Sequence, residues 1–295
     1  MEEQIKFSDP ITEKVFSLIK QIGPELKEYL YRLSLERISG FTDDDATFHD
    51  IKEPRSIIIA EADMKVHRAV VEAFKNEPVT IISEEGLVIK EGTVYRLVLD
   101  DLDGTYNASR GVLGRSAVSL AVDKNKKPLA GIWYNPYFDE MVIGETNGVW
   151  YLIGDKMVRV GVITSTKVFS KARIITGSTG TTNDPRSKLI NLPLSRLISQ
   201  ILAPINFESS VISLMDVALG RAEGFVIAGN KAWDLWPVRI IFPKLGIPFA
   251  FFTECWRRIL TEEEVNNFDP KNHLFGFACA TNEELFWPIV EILTK

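Results

Sequence analysis

The chain's densest chemistry lies in ten residues, Val98-Leu99-Asp100-Asp101-Leu102-Asp103-Gly104-Thr105-Tyr106-Asn107. An apolar run over residues 95–99 breaks without a spacer into three carboxylates and a Gly-Thr turn, the pattern of a strand that delivers acids to its own exposed end. Carboxylates packed this closely repel one another unless protons or a divalent cation neutralise them, and an oxygen-only donor set suits Mg²⁺ rather than Zn²⁺. Gly104 lets the backbone come close to a ligand, and Thr105 adds a hydroxyl beside exposed N–H groups. Acids, a tight turn and a hydroxyl together predict a phosphate held on metal ions.

Other acids stand where they could join this set. Asp63 is expected to open a helix running to residue 76, and a strand over residues 79–82 finishes in Ser83-Glu84-Glu85-Gly86. Lys231-Ala232-Trp233-Asp234 puts an acid after an apolar Trp at a helix start. Taken singly, Asp63 and Asp234 are explained as helix N-caps. Residues 40–50, with Asp43, Asp44, Asp45, Thr47, His49 and Asp50, read as a solvated loop or as a flap carrying an acid or hydroxyl toward the metal site. Gly177-Ser178-Thr179-Gly180 lacks the Lys-Ser/Thr ending of a P-loop and reads as a strand-to-helix connection.

The elements that must position these residues fall into two lobes. Helical spacing over residues 8–38, broken at Gly23-Pro24, predicts two helices, the first capped by Ser8. Residues 56–60 read as a strand, and residues 111–152 as an antiparallel meander. Strands and helices then alternate, which predicts an α/β lobe over residues 155–295 after an α+β lobe over residues 1–154. Thr281 and Glu284 have the spacing of a capping box for the last helix.

At 295 residues the chain can bury a large core, and 45% hydrophobic with 25% charged residues is an ordinary globular balance. A net charge of -6 argues against nucleic acid as partner, and Lys124-Asn125-Lys126-Lys127 reads as a hairpin tip. Cys255 and Cys279 have neither disulfide-framework nor zinc spacing. Acids at the N-terminus, and no apolar stretch of spanning length free of Pro, Arg or Lys, predict a cytoplasmic protein with no membrane partner.

In order, Asp63, Glu84, Asp100-Asp101-Leu102-Asp103-Gly104-Thr105 and Trp233-Asp234 closely resemble the inositol monophosphatase family of lithium-sensitive, Mg²⁺-dependent phosphatases. That family carries a Glu-Glu pair, a DPxDGTxN signature and a later WD pair at similar gaps. The resemblance extends to Gly131-Ile132-Trp133-Tyr134-Asn135-Pro136 and Ala218-Leu219-Gly220-Arg221-Ala222-Glu223. It implies a layered αβαβα sandwich, usually a homodimer, with two to three Mg²⁺ per site. Glu84, Asp100 and the Leu102 carbonyl would hold one ion, Asp100, Asp103 and Asp234 a second, and Glu84 a third. Thr105 and Asp63 match positions that orient or deprotonate the attacking water, and Gly104 and Thr105 would offer N–H groups to the phosphate. Glu208-Ser209-Ser210 occupies the place of the family's substrate-binding turn, and Asp101 stands where the family usually has Pro.

The implied reaction is hydrolysis of a small phosphorylated polyol or sugar, such as inositol 1-phosphate or fructose 1,6-bisphosphate, by in-line attack of water. A nucleotide 3′-phosphatase of the same family is one alternative. A second is a haloacid-dehalogenase-like phosphatase, because Asp101-Leu102-Asp103-Gly104-Thr105 also spells DxDGT with Asp101 as covalent nucleophile. A third is a metal-dependent phosphosugar-binding protein without catalysis.

Overall fold

The computed structural model describes residues 5–38, 54–90, 93–178, 187–205, 209–253, 255–267 and 274–295. The acidic loop at residues 40–50, Thr179, Gly180 and Glu208 lie outside them. Two helices, α1 (Pro10–Ile38) and α2 (Pro54–Ala73), precede strands β1 (Val79–Ser83), β2 (Leu87–Val88) and β3 (Tyr95–Asp103). A short helix α3 (Thr105–Ser109) leads to β4 (Ala117–Lys124), β5 (Lys127–Asn135), β6 (Glu140–Glu145), β7 (Gly148–Ile153) and β8 (Lys156–Arg159). These strands form one sheet in the order β2-β1-β3-β4-β5-β6-β7-β8, an antiparallel meander from β3 onward. The pairing of β1 with β3 is parallel and sets Ser83 beside Leu99, so both strands end side by side in acids.

The second half supplies β9 (Arg173–Ser178), α4 (Ser187–Ile198), β10 (Ala203–Ile205), α5 (Ser210–Ala218), β11 (Gly224–Asn230), α6 (Ala232–Leu235) and α7 (Val238–Leu245). It ends with β12 (Phe249–Thr253), α8 (Glu262–Asn266), β13 (Phe275–Ala280) and α9 (Glu283–Thr294). Its five strands form a mixed sheet in the order β10-β9-β11-β13-β12.

Alternation along each strand decides which face meets which helices. Leu97 and Leu99 of β3 pack with Val66 and Val70 of α2 and Val15 and Ile19 of α1. Val98, between them, joins Trp133 and Val142 on the opposite face, against α5 and α7 and the inward face of the second sheet at Phe225 and Phe277. Ile174, Val226 and Ala278 face outward onto Leu194 and Leu197 of α4 and Leu285 and Ile289 of α9. The layers therefore run helix, sheet, helix, sheet, helix, as the resemblance implies.

Helix α7 sits so close to the first sheet that a Cβ on Gly131 would lie 2.8 Å from Pro237 Cβ, and one on Gly144 2.5 Å from Ile241 Cγ1. A buried ionic knot fastens the same contact. Asp123 of β4 accepts from Trp236 Nε1 at 2.9 Å, Arg239 Nη1 at 3.2 Å and Arg96 Nε at 3.2 Å.

Several local expectations change. Helix α1 runs unbroken through Pro24, because burial of Leu26 and Leu30 outweighs the lost backbone bond. Asp9, not Ser8, caps it, accepting from Ile11 N at 2.9 Å. Residues 56–60 belong to α2 and not to a strand, so Asp63 sits inside that helix and does not open it; five apolar residues are too few to separate the two periods. Asn282 caps α9 by accepting from Leu285 N at 3.1 Å, while Thr281 turns its hydroxyl to the Glu223 carbonyl at 3.2 Å. The complete capping box is Thr261 with Glu264, on α8. Strand β8 pairs with β7, so the first sheet extends to Arg159, past the boundary expected at residue 154.

Asp123→Ala would leave the Arg239 guanidinium, 9% exposed, without its carboxylate. The expected cost is about 3–5 kcal/mol in denaturant unfolding; a loss below about 1 kcal/mol would mean that the arginines find other partners.

Candidate active site

Strand β3 turns its acids to opposite sides. Asp100 continues the face of Val98 toward the central helices, whereas Asp101 continues the face of Leu97 and Leu99 toward α2. A register shift against β4 between Asp100 and Asp103 breaks strict alternation and lets Asp103 join Asp100. The third member, Asp234, comes from α6 in the other half of the chain. Ser119 of β4 donates to the Trp233 carbonyl at 2.9 Å and holds that helix to the first sheet. One carboxylate oxygen from each of Asp100, Asp103 and Asp234 lies within 4.8 Å of the others.

Each acid has a partial counterweight. Asp100 Oδ1 accepts from Leu102 N at 3.0 Å, and Asp103 Oδ2 accepts from Ser209 Oγ and Val211 N, both at 2.7 Å. Ser209 is the N-cap of α5, so Asp103 sits at the positive end of that helix. These bonds do not restore ordinary acidity. Burial pushes Asp100 and Asp234 well above the usual carboxylate range, and the neighbouring acids push them further. Burial also raises Asp103, against the pull of the Ser209 hydroxyl and the Val211 N–H. Glu84 is raised by burial and then by Glu85 and Asp103, with Lys231 opposing.

These residues line a cavity of about 390 Å³. Glu84, Asp100, Leu102, Asp103 and Asp234 form its acidic side, with Gly104 and Thr105 beside them. Gly104 has φ 80, and a Cβ there would lie 2.3 Å from the Arg115 carbonyl oxygen, so glycine is required at this turn. Ser209, Ser210 and Ser213 of the α5 end border the cavity, and Ile175, Phe225 and Ile227 make an apolar wall. Thr176, Gly177, Asn230, Lys231 and Trp233 complete the lining.

Residues singled out in the sequence therefore share one cavity: Glu84, Asp100, Leu102, Asp103, Gly104, Thr105, Ser209, Ser210 and Asp234, with Trp233 and Gly177 of the strand-to-helix turn beside them. Asp63 does not line it. It is buried on α2 beside Glu84, Glu85 and Asp101, and burial followed by those charges raises its pKa to about 8. Asp101 is outside the cavity on the other face of β3, which removes the reading that makes it a covalent nucleophile. The sequence reading missed Lys231 and Asn230 as lining residues. Their signal was adjacency, since both directly precede Ala232-Trp233-Asp234.

Buried Asp100 and Asp234, half-buried Asp103, the more exposed Glu84 and a backbone carbonyl are all oxygen donors, and together they form a donor set that fits hard divalent cations.

Among the described residues no helix is long and apolar enough to cross a membrane. The sequence pattern of the Inositol monophosphatase family matches residues 8–281. An inositol-1-monophosphatase of Rhizobium meliloti (strain 1021) is 30% identical over 181 residues, covering 60% of this chain and 65% of that one. With an inositol-1-monophosphatase of Mesorhizobium japonicum the match covers 56% of the relative, so the chain spans less than two thirds of the length of both. A fructose-1,6-bisphosphatase/inositol-1-monophosphatase of Aquifex aeolicus (strain VF5) is 24% identical over 224 residues, 76% of this chain and 79% of that one. The solved structure of extragenic suppressor protein SuhB from Bartonella henselae shares the fold, with a TM-score of 0.71 at 22% identity over 95% of this chain and 98% of that one. With a family match that takes in every acid of the cavity, the chain belongs to the inositol monophosphatase family.

Proposed function

We propose that this chain is a Mg²⁺-dependent phosphomonoesterase that hydrolyses a small phosphorylated polyol or sugar, of the inositol 1-phosphate or fructose 1,6-bisphosphate kind. The observation that carries the reading is the convergence of Asp100, Asp103 and Asp234 within 4.8 Å, in the cavity that also holds Glu84, Gly104 and Thr105. Phosphoryl transfer asks little covalent chemistry of a protein and much positioning and charge neutralisation. Bound to those acids and to the Leu102 carbonyl, two to three Mg²⁺ would supply that neutralisation and acidify water.

The chain's own groups do the rest. Gly104 and Thr105 present backbone N–H groups to the phosphate, and the Thr105 hydroxyl orients the attacking water. Glu84, which lines the cavity, faces that water, and Asp63, outside the lining but beside Glu84, takes up its proton through Glu84. The Ile175, Phe225 and Ile227 wall excludes water from the leaving group, and Asn230, Lys231 and Ser210 offer polar groups to its hydroxyls or to a second anionic group.

Phosphate release from a panel of inositol 1-phosphate, fructose 1,6-bisphosphate and adenosine 3′,5′-bisphosphate, with and without Mg²⁺ and Li⁺, tests the proposal. Release from none of these esters would reject it. Asp100→Asn is expected to lower turnover on the order of 10²–10³-fold. Asp101→Asn should keep most of it, and the reverse ranking would mean that the acids lining the cavity are not the ones the reaction uses.

Proton linkage gives a second test. In the metal-free folded chain Asp63 keeps its proton to about 8, against 3.8 as its ordinary value. The folded state thus binds more protons than the unfolded one across that interval, and stability falls as pH rises through it. The metal-free Tm is therefore expected to drop between about pH 4 and about pH 8 and to level off above that, and Mg²⁺ to raise Tm more at the higher pH. A metal-free Tm that climbs over this window would contradict the buried-acid description.

A further inference from the structure

Asp101 makes a set of contacts that the catalytic scheme does not use. Its Oδ2 accepts from Ser83 Oγ at 2.5 Å. Having spent its one hydrogen there, the Ser83 hydroxyl accepts from Glu85 N at 3.0 Å and from His67 Nδ1 at 2.9 Å, which places the imidazole proton on Nδ1. Ser83 also closes its own turn, with Ser83 N donating to the Gly86 carbonyl at 2.8 Å. A Cβ on Gly86 would lie 3.2 Å from His67 Nε2, so the turn is seated directly on that ring.

Three acid-bearing segments meet in this chain of bonds. His67 follows Asp63 by one helical turn on α2, Ser83 precedes Glu84 at the end of β1, and Asp101 lies between Asp100 and Asp103 on β3. All of it is on the face of the first sheet turned away from the cavity. Asp101 is 1% exposed, and its other oxygen, Oδ1, is buried without a hydrogen-bond partner. Proline, which the family usually has here, could accept none of these bonds.

We infer that Asp101, acting through Ser83 and His67, is a positioning residue that clamps the Glu84 turn and the end of β3 to α2, so that Glu84 and Asp100 keep cation-binding register while they repel each other. The inference rests on the proposed cation site and extends it to a group behind that site.

The test is a double-mutant cycle of Ser83→Ala and Asp101→Ala, read by calorimetric titration of the folded protein with Mg²⁺ and by the Tm of the metal-free protein. Each single variant is expected to weaken Mg²⁺ binding by about tenfold, the range seen when groups that orient metal ligands are removed. The double variant should lose little more than either single, because both cut one chain. Asp101→Asn, whose amide oxygen still accepts from Ser83, should return affinity to near the parent value with the same number of bound ions. Parent-like affinity in Asp101→Ala, additive losses in the cycle, or one ion fewer in Asp101→Asn would each overturn the inference, the last by making Asp101 a ligand. A drop in metal-free Tm that fully accounts for the weaker binding would also overturn it, as a purely structural effect. None of these readouts needs turnover, so failure of the clamp and failure of the phosphatase assignment are separable.

Discussion

Mutual repulsion among buried carboxylates is the constraint around which this molecule is built. Asp100, Asp103 and Asp234 approach within 4.8 Å in a region where each is largely removed from water, and Glu84 adds a fourth negative group. Left alone, such a cluster would draw protons or pull the strand ends apart. The surrounding structure offsets the repulsion piecemeal, through the α5 N-terminus against Asp103, the Leu102 N–H against Asp100 and Lys231 opposing Glu84. The helix end and the N–H are only partial charges and Lys231 is one cation among four acids, so the site keeps a net negative charge that a divalent cation can complete.

Holding the cluster together requires both halves of the chain. The first sheet delivers Glu84, Asp100 and Asp103 from neighbouring parallel strand ends, and α6 delivers Asp234 after the chain has built most of the second sheet. Ser119 to Trp233, Asp103 to Ser209, and Asp123 to Trp236 and Arg239 are all bonds between the first sheet and the central helices. The cavity is thus walled on one side by acids and on the other by Ile175, Phe225 and Ile227 from the second sheet.

Much of this was legible in the residues because the acids are adjacent in the chain, where a strand end followed by Gly-Thr has few meanings. The meander and the layered architecture followed from turn spacing and from the resemblance. Less legible were features that a short stretch leaves undecided. The Ile57-Ile58-Ile59 run has strand propensity, yet it lies in α2, because so short an apolar run carries no period of its own. Pro24 likewise breaks a helix only when nothing buries the residues beyond it. Lys231 looks like a solvent-facing residue before a helix until β11 is known to end at the cavity. The opposite orientations of Asp100 and Asp101 follow from the two-residue period of a strand, once β3 is known to run through both.

The central helix layer has a consequence for how the protein is made. The inward face of the first sheet, with Val98, Trp133, Val142 and Val149, is finished once Arg159 has been added. Its cover comes from Ser210–Ala218 and Val238–Leu245, far later in translation. For the whole interval a nascent chain leaving the ribosome exposes a broad greasy surface, and holding factors that shield such surfaces have their natural point of engagement there.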